Sequence, residues 1–337
     1  MNFLKRLFTS SINRRLHRVT FWVALLTALL VSACQPIPLP APDTLHLNEP
    51  RPTGPRPDEP PYAEHGPFGV GYRSLVSSEG TGSEGTIRTL DVGLWYPALN
   101  PTGAEEKITY TFTLKNPEWR SDEPAIVNGH ALLDAPLDKA QGPYPLVIFS
   151  PGFSANAVWY STLLEHYASH GFIVLSPEHI EQEWGESAQA TIDRPHDITQ
   201  ILDYAEALTK PDGALAGQID MENVAVVGHS FGGYTALASA GAQLDLAAFN
   251  NRCAELAPDD PKSFLCMPML GQESNIAERA GLASPPEGLW PSLGDPRVTA
   301  IIPIAGDAYL FDQAGLSKIT IPMMVSIPMI KSPKEPR

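Results

Sequence analysis

The chain is 337 residues long, 43% hydrophobic and 18% charged, with a formal net charge of −15. That length and composition describe a globular protein with ample core, one large domain plus extensions. Five of the 23 Lys and Arg residues fall in the first 34, which hold no acid. The remainder sets 18 basic against 38 acidic residues, a net of −20, and argues against nucleic acid or any other polyanion as a partner.

Residues 1–34 read as an export signal. Lys5, Arg6, Arg14, Arg15 and Arg18 make a basic start, and Phe21 to Val31 is an apolar run too short for a final membrane span. Val31-Ser32-Ala33-Cys34 then sets small residues ahead of a cysteine, which resembles the lipobox of bacterial lipoproteins. The resemblance implies that Cys34 is lipidated, becomes the mature N-terminus and anchors the protein to a membrane through several acyl chains. Gln35, following it, implies the outer membrane. Ordinary secretion with cleavage after Ala33 is the alternative, and it would leave an unpaired cysteine at the start of the mature chain. Residues 35–65 hold ten of the 34 prolines and read as an extended tether.

The folded domain is expected over 66–337. Phe68 to Val76 and Thr86 to Tyr96 read as two strands, with Pro97 ending the second. Residues 98–142 read as irregular. Leu146 to Phe149 is a short buried strand, and Ala155 to His170 a helix closed by Gly171. Phe172 to Leu175 is the next buried strand. A second helix begins near His196-Asp197, with His196 as a helix-start residue. It carries Ile198, Ile201, Leu202, Ala205 and Leu208 on one face and stops before Pro211. Val224 to Val227 is another short strand and Tyr234 to Gln243 a small-residue helix. Val298 to Ile304 is a buried strand, and Ile319 to Val325 begins one more. Alternation of this kind predicts an α/β fold, a mostly parallel sheet with helices on both faces.

Between the small-residue helix and Val298 lie about 50 residues, roughly 244–297, where an ordinary connection takes about 2–6. This insertion is placed to cap a site. It carries Cys253 and Cys266, which an exported protein would join as a disulfide; two buried free thiols are the alternative. No Cys-x-x-Cys or His-x-x-x-His spacing suggests a metal, and no cofactor is expected.

The chemistry centres on Gly228-His229-Ser230-Phe231-Gly232, between the Val224 strand and the following helix. Gly-x-Ser-x-Gly in a strand-to-helix turn is a nucleophile elbow, which exposes the serine hydroxyl above the sheet and aims the next N–H at an oxyanion. As a bare pattern it also occurs in glycine-rich turns; the flanking strand and helix favour the elbow.

Four blocks in order carry a family resemblance. Trp95-Tyr96-Pro97, Ser150-Pro151-Gly152-Phe153, Ala168-Ser169-His170-Gly171-Phe172-Ile173-Val174 and Gly228 to Gly233 resemble the exported predicted dienelactone hydrolase group. They are similar also to the plasma-type platelet-activating-factor acetylhydrolases. The resemblance covers roughly 66–325 and implies the α/β-hydrolase fold. It implies Ser230 as nucleophile and the Phe231 and Phe153 N–H groups as oxyanion donors. It places the acid at Asp307, within Asp307-Ala308-Tyr309-Leu310-Phe311, where a turn residue is the other reading. No carboxylate follows the strand beginning near Ile319, where most α/β-hydrolases keep their acid; Ser326-Ile327-Pro328-Met329 stands there.

Chain order in this fold is serine, acid, histidine, yet all nine histidines lie at or before 229. His179 follows a strand at the catalytic edge and is either a base or a loop residue packed near the pocket. The tail from Ile327 lacks periodicity, and the last strand and helix of the fold are expected to be missing. Two functions follow. One is an envelope-anchored serine hydrolase cleaving a small-molecule or lipid-like carboxylic ester. The other is a catalytically inactive lipoprotein that acts at most as a binding module.

Overall fold

The computed structural model describes residues 63–77, 88–115, 124–257, 260 and 263–326. The segments expected to be an export signal and a tether, Cys34 included, fall outside these residues except for 63–65, as does 327–337.

The core is a seven-stranded sheet. Strands β1 (Gly69–Ser77) and β2 (Leu90–Ala98) pair antiparallel, while β3 (Ile108–Phe112) and β4 (Ala125–Gly129) form a separate two-stranded sheet. The remaining strands are β5 (Leu132–Leu133), β6 (Tyr144–Ser150), β7 (Ile173–Pro177), β8 (Ile219–His229) and β9 (Ala300–Ile304). The spatial order is β5-β1-β2-β7-β6-β8-β9, with β7, β6, β8 and β9 parallel.

Side chains of successive residues leave a strand on opposite faces, so each parallel strand feeds two cores. Leu146, Ile148, Leu175 and Val226 face a layer that includes α2 (Ser187–Thr209) and α3 (Phe231–Ser239). Val147, Phe149, Val174 and Val227 face Leu164 and Ala168 of α1 (Ser161–Ser169). The β3–β4 sheet closes that second face with Ile108, Tyr110 and Val127. A buried polar chain fastens it: Trp95 Nε1 donates to Tyr110 Oη at 2.9 Å, which donates to Glu165 Oε1 at 2.8 Å.

Several expectations need correction. Pro97 does not end β2; it sits opposite Val70 in the ladder, its carbonyl accepting the Asp138 N–H. Residues 98–142 are not irregular throughout, since β3, β4 and β5 lie within them. The Ala155 helix divides into a 3₁₀ turn, Ala157–Tyr160, and α1. The helix after Phe231 starts at the residue following Ser230, earlier than its Ala-rich stretch suggests.

The largest shift is in α2, which begins at Ser187 and takes Pro195 into its interior, so His196 is a mid-helix residue. Proline has no N–H to give the carbonyl four residues back. That carbonyl, Thr191 O, instead accepts the buried Tyr234 hydroxyl of α3 at 2.8 Å. A tertiary bond replaces the local one, which is why the local signal of a helix start near His196-Asp197 misleads.

The insertion holds α4 (Leu246–Ala254), α5 (Ser263–Cys266) and α6 (Glu273–Arg279). Cys253 and Cys266 are bonded, with Cα atoms 5.8 Å apart, and tie α4 to α5. After β9 comes α7 (Gln313–Leu316). Residues 322–326 then lie parallel to β9: Ile301 N donates to Pro322 O and Ser326 N to Pro303 O. These contacts are two isolated bridges, Ile301 with Met323 and Ile304 with Ser326, and among the described residues they do not extend into the continuous strand expected from Ile319.

Candidate active site

Ser230 stands between β8 and α3 with φ 55° and ψ −119°. A non-glycine residue rarely takes positive φ, and such strain persists only where the surroundings enforce it. Here the enforcement is close packing. A Cβ on Gly228 would lie 2.0 Å from Gly232 O, and one on Gly232 would lie 1.9 Å from Ser150 O. Both glycines of the motif are thus required, and the second lets the elbow press against the end of β6. Three of the four described non-glycine residues with positive φ belong to this neighbourhood: Ser154, Ser230 and Ala305.

Ser230 is partly exposed and lines a cavity of about 590 Å³. Trp184, Phe231, Tyr309 and Phe311 give it aromatic walls, and Arg252, Phe264 and Leu265 of the insertion close one side. The insertion thus contributes part of the lining of the cavity that holds Ser230. The loop after β6 adds Phe153, whose ring meets Phe231 edge-on at 5.5 Å and Trp184 at 4.9 Å. The Phe231 N–H opens α3, where a helix has no internal acceptor to offer.

Asp307 also lines the cavity, and its backbone N–H donates to Ser230 O at 3.1 Å. The approach depends on Gly233, where a Cβ would lie 2.4 Å from Gly306 Cα. Burial pushes the Asp307 carboxyl above its usual range, opposed by the Tyr309 N–H that donates to Oδ1 at 3.0 Å. The residue thus makes a turn bond and stands beside Ser230, so both readings of it find a place in the geometry.

His229 and His179 are occupied elsewhere. His229 Nδ1 lies 2.9 Å from Tyr160 Oη, which accepts the Gly152 N–H. His179 is buried, with Nε2 2.9 Å from Ser150 Oγ and Nδ1 2.8 Å from Asp197 Oδ2. The order of groups is that of a catalytic triad, but all three side chains are shut off from solvent and none lines the cavity. Burial, then the nearby Arg194, Lys115 and Arg88 charges, hold His179 well below its usual pKa, so the ring is neutral. Burial pushes Asp197 up to about 8 against the pull of Arg88, 2.9 Å away. Among the described residues no hydrogen bond joins a histidine to the Ser230 hydroxyl.

Sequence reasoning missed the buried charges beneath this site. Arg194, fully buried, donates Nη1 to Pro151 O at 2.6 Å, Nη2 to Gly152 O at 3.1 Å and Nε to Glu181 Oε1 at 2.8 Å. A signal existed: Arg194, Ile198, Ile201, Leu202 and Ala205 follow helical spacing, so an arginine falls within the apolar stripe of α2.

A protein-family profile described as Chlorophyllase matches residues 115–255. That segment runs from before β6 to the disulfide and takes in Ser150–Phe153, His179, Arg194 and the elbow, stopping short of Asp307. The sheet order, the elbow after β8 and this match agree. The fold is the α/β-hydrolase fold. Within it, the chain is 32% identical over 99 residues to "Chlorophyllase-1" of Arabidopsis thaliana, 29% of each chain. It is 32% identical over 109 residues to "Cutinase est2" of Thermobifida alba, 31% of this chain and 33% of that one. The chain spans about a third of the length of the curated relatives it matches. Among solved structures, a ferulic acid esterase from Streptomyces cinnamoneus aligns with TM-score 0.44 and 20% identity over 81% of this chain and 66% of that one.

Proposed function

We propose that the protein is a serine hydrolase of carboxylic esters. Ser230 Oγ attacks the ester carbonyl, the Phe153 and Phe231 N–H groups hold the oxyanion, and water releases the acyl group. Asp307 is the acid of the site. The aromatic cavity under the insertion takes the substrate, a small-molecule or lipid-like ester, and Cys34 carries the lipid anchor to the outer membrane. The finer likeness to the dienelactone hydrolase and acetylhydrolase groups rests on the four motif blocks and belongs to this proposal.

The observation that carries the reading is the strained backbone of Ser230 at the mouth of the cavity. The similarity to chlorophyllases and cutinases supports it.

Catalysis also needs a base, since a protonated serine is a poor nucleophile. His179 and His229 are engaged with Ser150 and Tyr160, which favours a second reading: a catalytically inactive module that binds an ester without turning it over. Hydrolysis of p-nitrophenyl acetate by the 337-residue chain, with Ser230→Ala as control, separates the two. The hydrolase reading predicts slow Ser230-dependent turnover, of the order of 10³–10⁴-fold over water, raised by added imidazole acting as an external base. Equal rates in both proteins with and without imidazole select the binding module.

A further inference from the structure

Three of the four polar groups on the two peptides that follow Pro151 and Gly152 are held by side chains from beneath. Pro151 O accepts Arg194 Nη1, the Gly152 N–H donates to Tyr160 Oη, and Gly152 O accepts Arg194 Nη2 as well as the Ala155 N–H of the loop itself, each at 3.1 Å. The fourth, the Phe153 N–H, has no acceptor among the described residues. No cis bond occurs here, and in a trans peptide the N–H points opposite to the C=O. The guanidinium and the Ala155 N–H hold the Gly152 carbonyl on one side and so aim the Phe153 N–H to the other. The same guanidinium lies 5.8 Å from the Phe153 ring centre and 5.2 Å from that of Phe231, under both residues proposed as oxyanion donors.

From this geometry we infer that Arg194 is the positioning residue of the oxyanion hole, with Glu181 as its counter-charge. The inference rests on the serine-hydrolase reading above. Arginine suits the task because its planar fork reaches two neighbouring carbonyls and a carboxylate at once, which the point charge of a lysine does not. Glu181 pairs with it through Nε and Nη2, so the buried cation is neutralised and its two carbonyl bonds stay directed. Ser150 adds a second fastening at the root of the loop, its hydroxyl 2.9 Å from His179 Nε2. The Ser150–His179–Asp197 chain accordingly acts on the loop, not on substrate. Oxyanion donors work only when fixed in place before charge develops, and this buried cluster on α2 supplies the fixing.

The test compares two ligands of the same chain length on the whole protein, read through Trp184 fluorescence and ¹¹B NMR. One is an alkylboronic acid, to which the Ser230 oxygen adds; its proton passes to solvent and a tetrahedral boronate anion sits in the hole. The other is the matching planar ketone, which fills the cavity without needing the hole. In Arg194→Lys we expect the boronate to bind about 10²-fold more weakly, the loss of about one oxyanion donor, with ketone binding unchanged. Arg194→Met with Glu181→Met removes the pair together, so no buried charge is left alone, and decides the case where Arg194→Lys does not fold. It should show the same selective loss. Wild-type boronate affinity in either folded variant would overturn the inference alone. A wild-type protein whose boronate affinity matches that of Ser230→Ala would overturn the hydrolase reading on which the inference stands.

Discussion

Pro195 and Tyr234 make a quantitative test of how α2 is held. The Thr191 carbonyl is fully buried, loses its helical donor to Pro195 and takes the Tyr234 hydroxyl at 2.8 Å. Tyr234→Phe removes that donor and leaves a buried carbonyl unpaired, at a cost of about 1–3 kcal/mol. At about 2 kcal/mol the melting temperature should fall by roughly 4–8 °C for a domain of this size. Pro195→Ala restores an N–H at the position that reaches Thr191 O, so the same Tyr234→Phe change in that background should cost at least about 1 kcal/mol less. Urea denaturation of the four proteins gives the coupling directly. Equal losses in the two backgrounds would refute the claim that the tyrosine stands in for the missing helical bond.

Two further outcomes follow from the geometry. Replacing Cys253 and Cys266 by alanine opens a link with sequence separation 13. It should cost about 3 kcal/mol in the chain-entropy account, read as a lower urea midpoint; an unchanged midpoint would remove the disulfide's structural role. Asp197 is raised from 3.8 to about 8 by burial, so the folded state holds a proton that the unfolded state has released. Its stabilising contribution is complete below pH 3.8 and is lost as pH rises through about 8. His179, lowered below 6.5, is neutral in both states above that pH. Between pH 6.5 and 8 stability should therefore fall with rising pH, and Asp197→Asn should flatten that slope.

The sheet was legible wherever a strand is buried on both faces. Leu146 to Phe149 and Phe172 to Leu175 are short apolar runs that only a covered parallel sheet explains, and the glycines around Ser230 announced the turn. Residues 98–142 were opaque because β3 and β4 hold their place by long-range contacts, such as Tyr110 with Trp95 and Glu165. The start of α2 was lost because proline's local preference was overridden from α3. At the site, the Gly-x-Ser-x-Gly spacing announced the strand-to-helix turn at Ser230, while Phe153 entered only through the family resemblance. The place of His179 could not be read from spacing: only the fold brings Ser150, His179 and Asp197, successively 29 and 18 residues apart in sequence, into one hydrogen-bonded chain. Arg194 was visible as a charge in an apolar stripe, but its partners lie on two other segments.

The most direct test of Ser230 as the nucleophile is a trapped acyl-enzyme. With no histidine bonded to the Ser230 hydroxyl among the described residues, release of the acyl group should be slowed along with its formation. Protein incubated with p-nitrophenyl acetate, then digested and sequenced by mass spectrometry, should carry one acetyl group on the Ser230 hydroxyl. Imidazole should shorten its lifetime, and Ser230→Ala should leave that peptide unmodified. Acetyl groups confined to lysines, with the Ser230 peptide unmodified in the wild-type protein, would contradict the account.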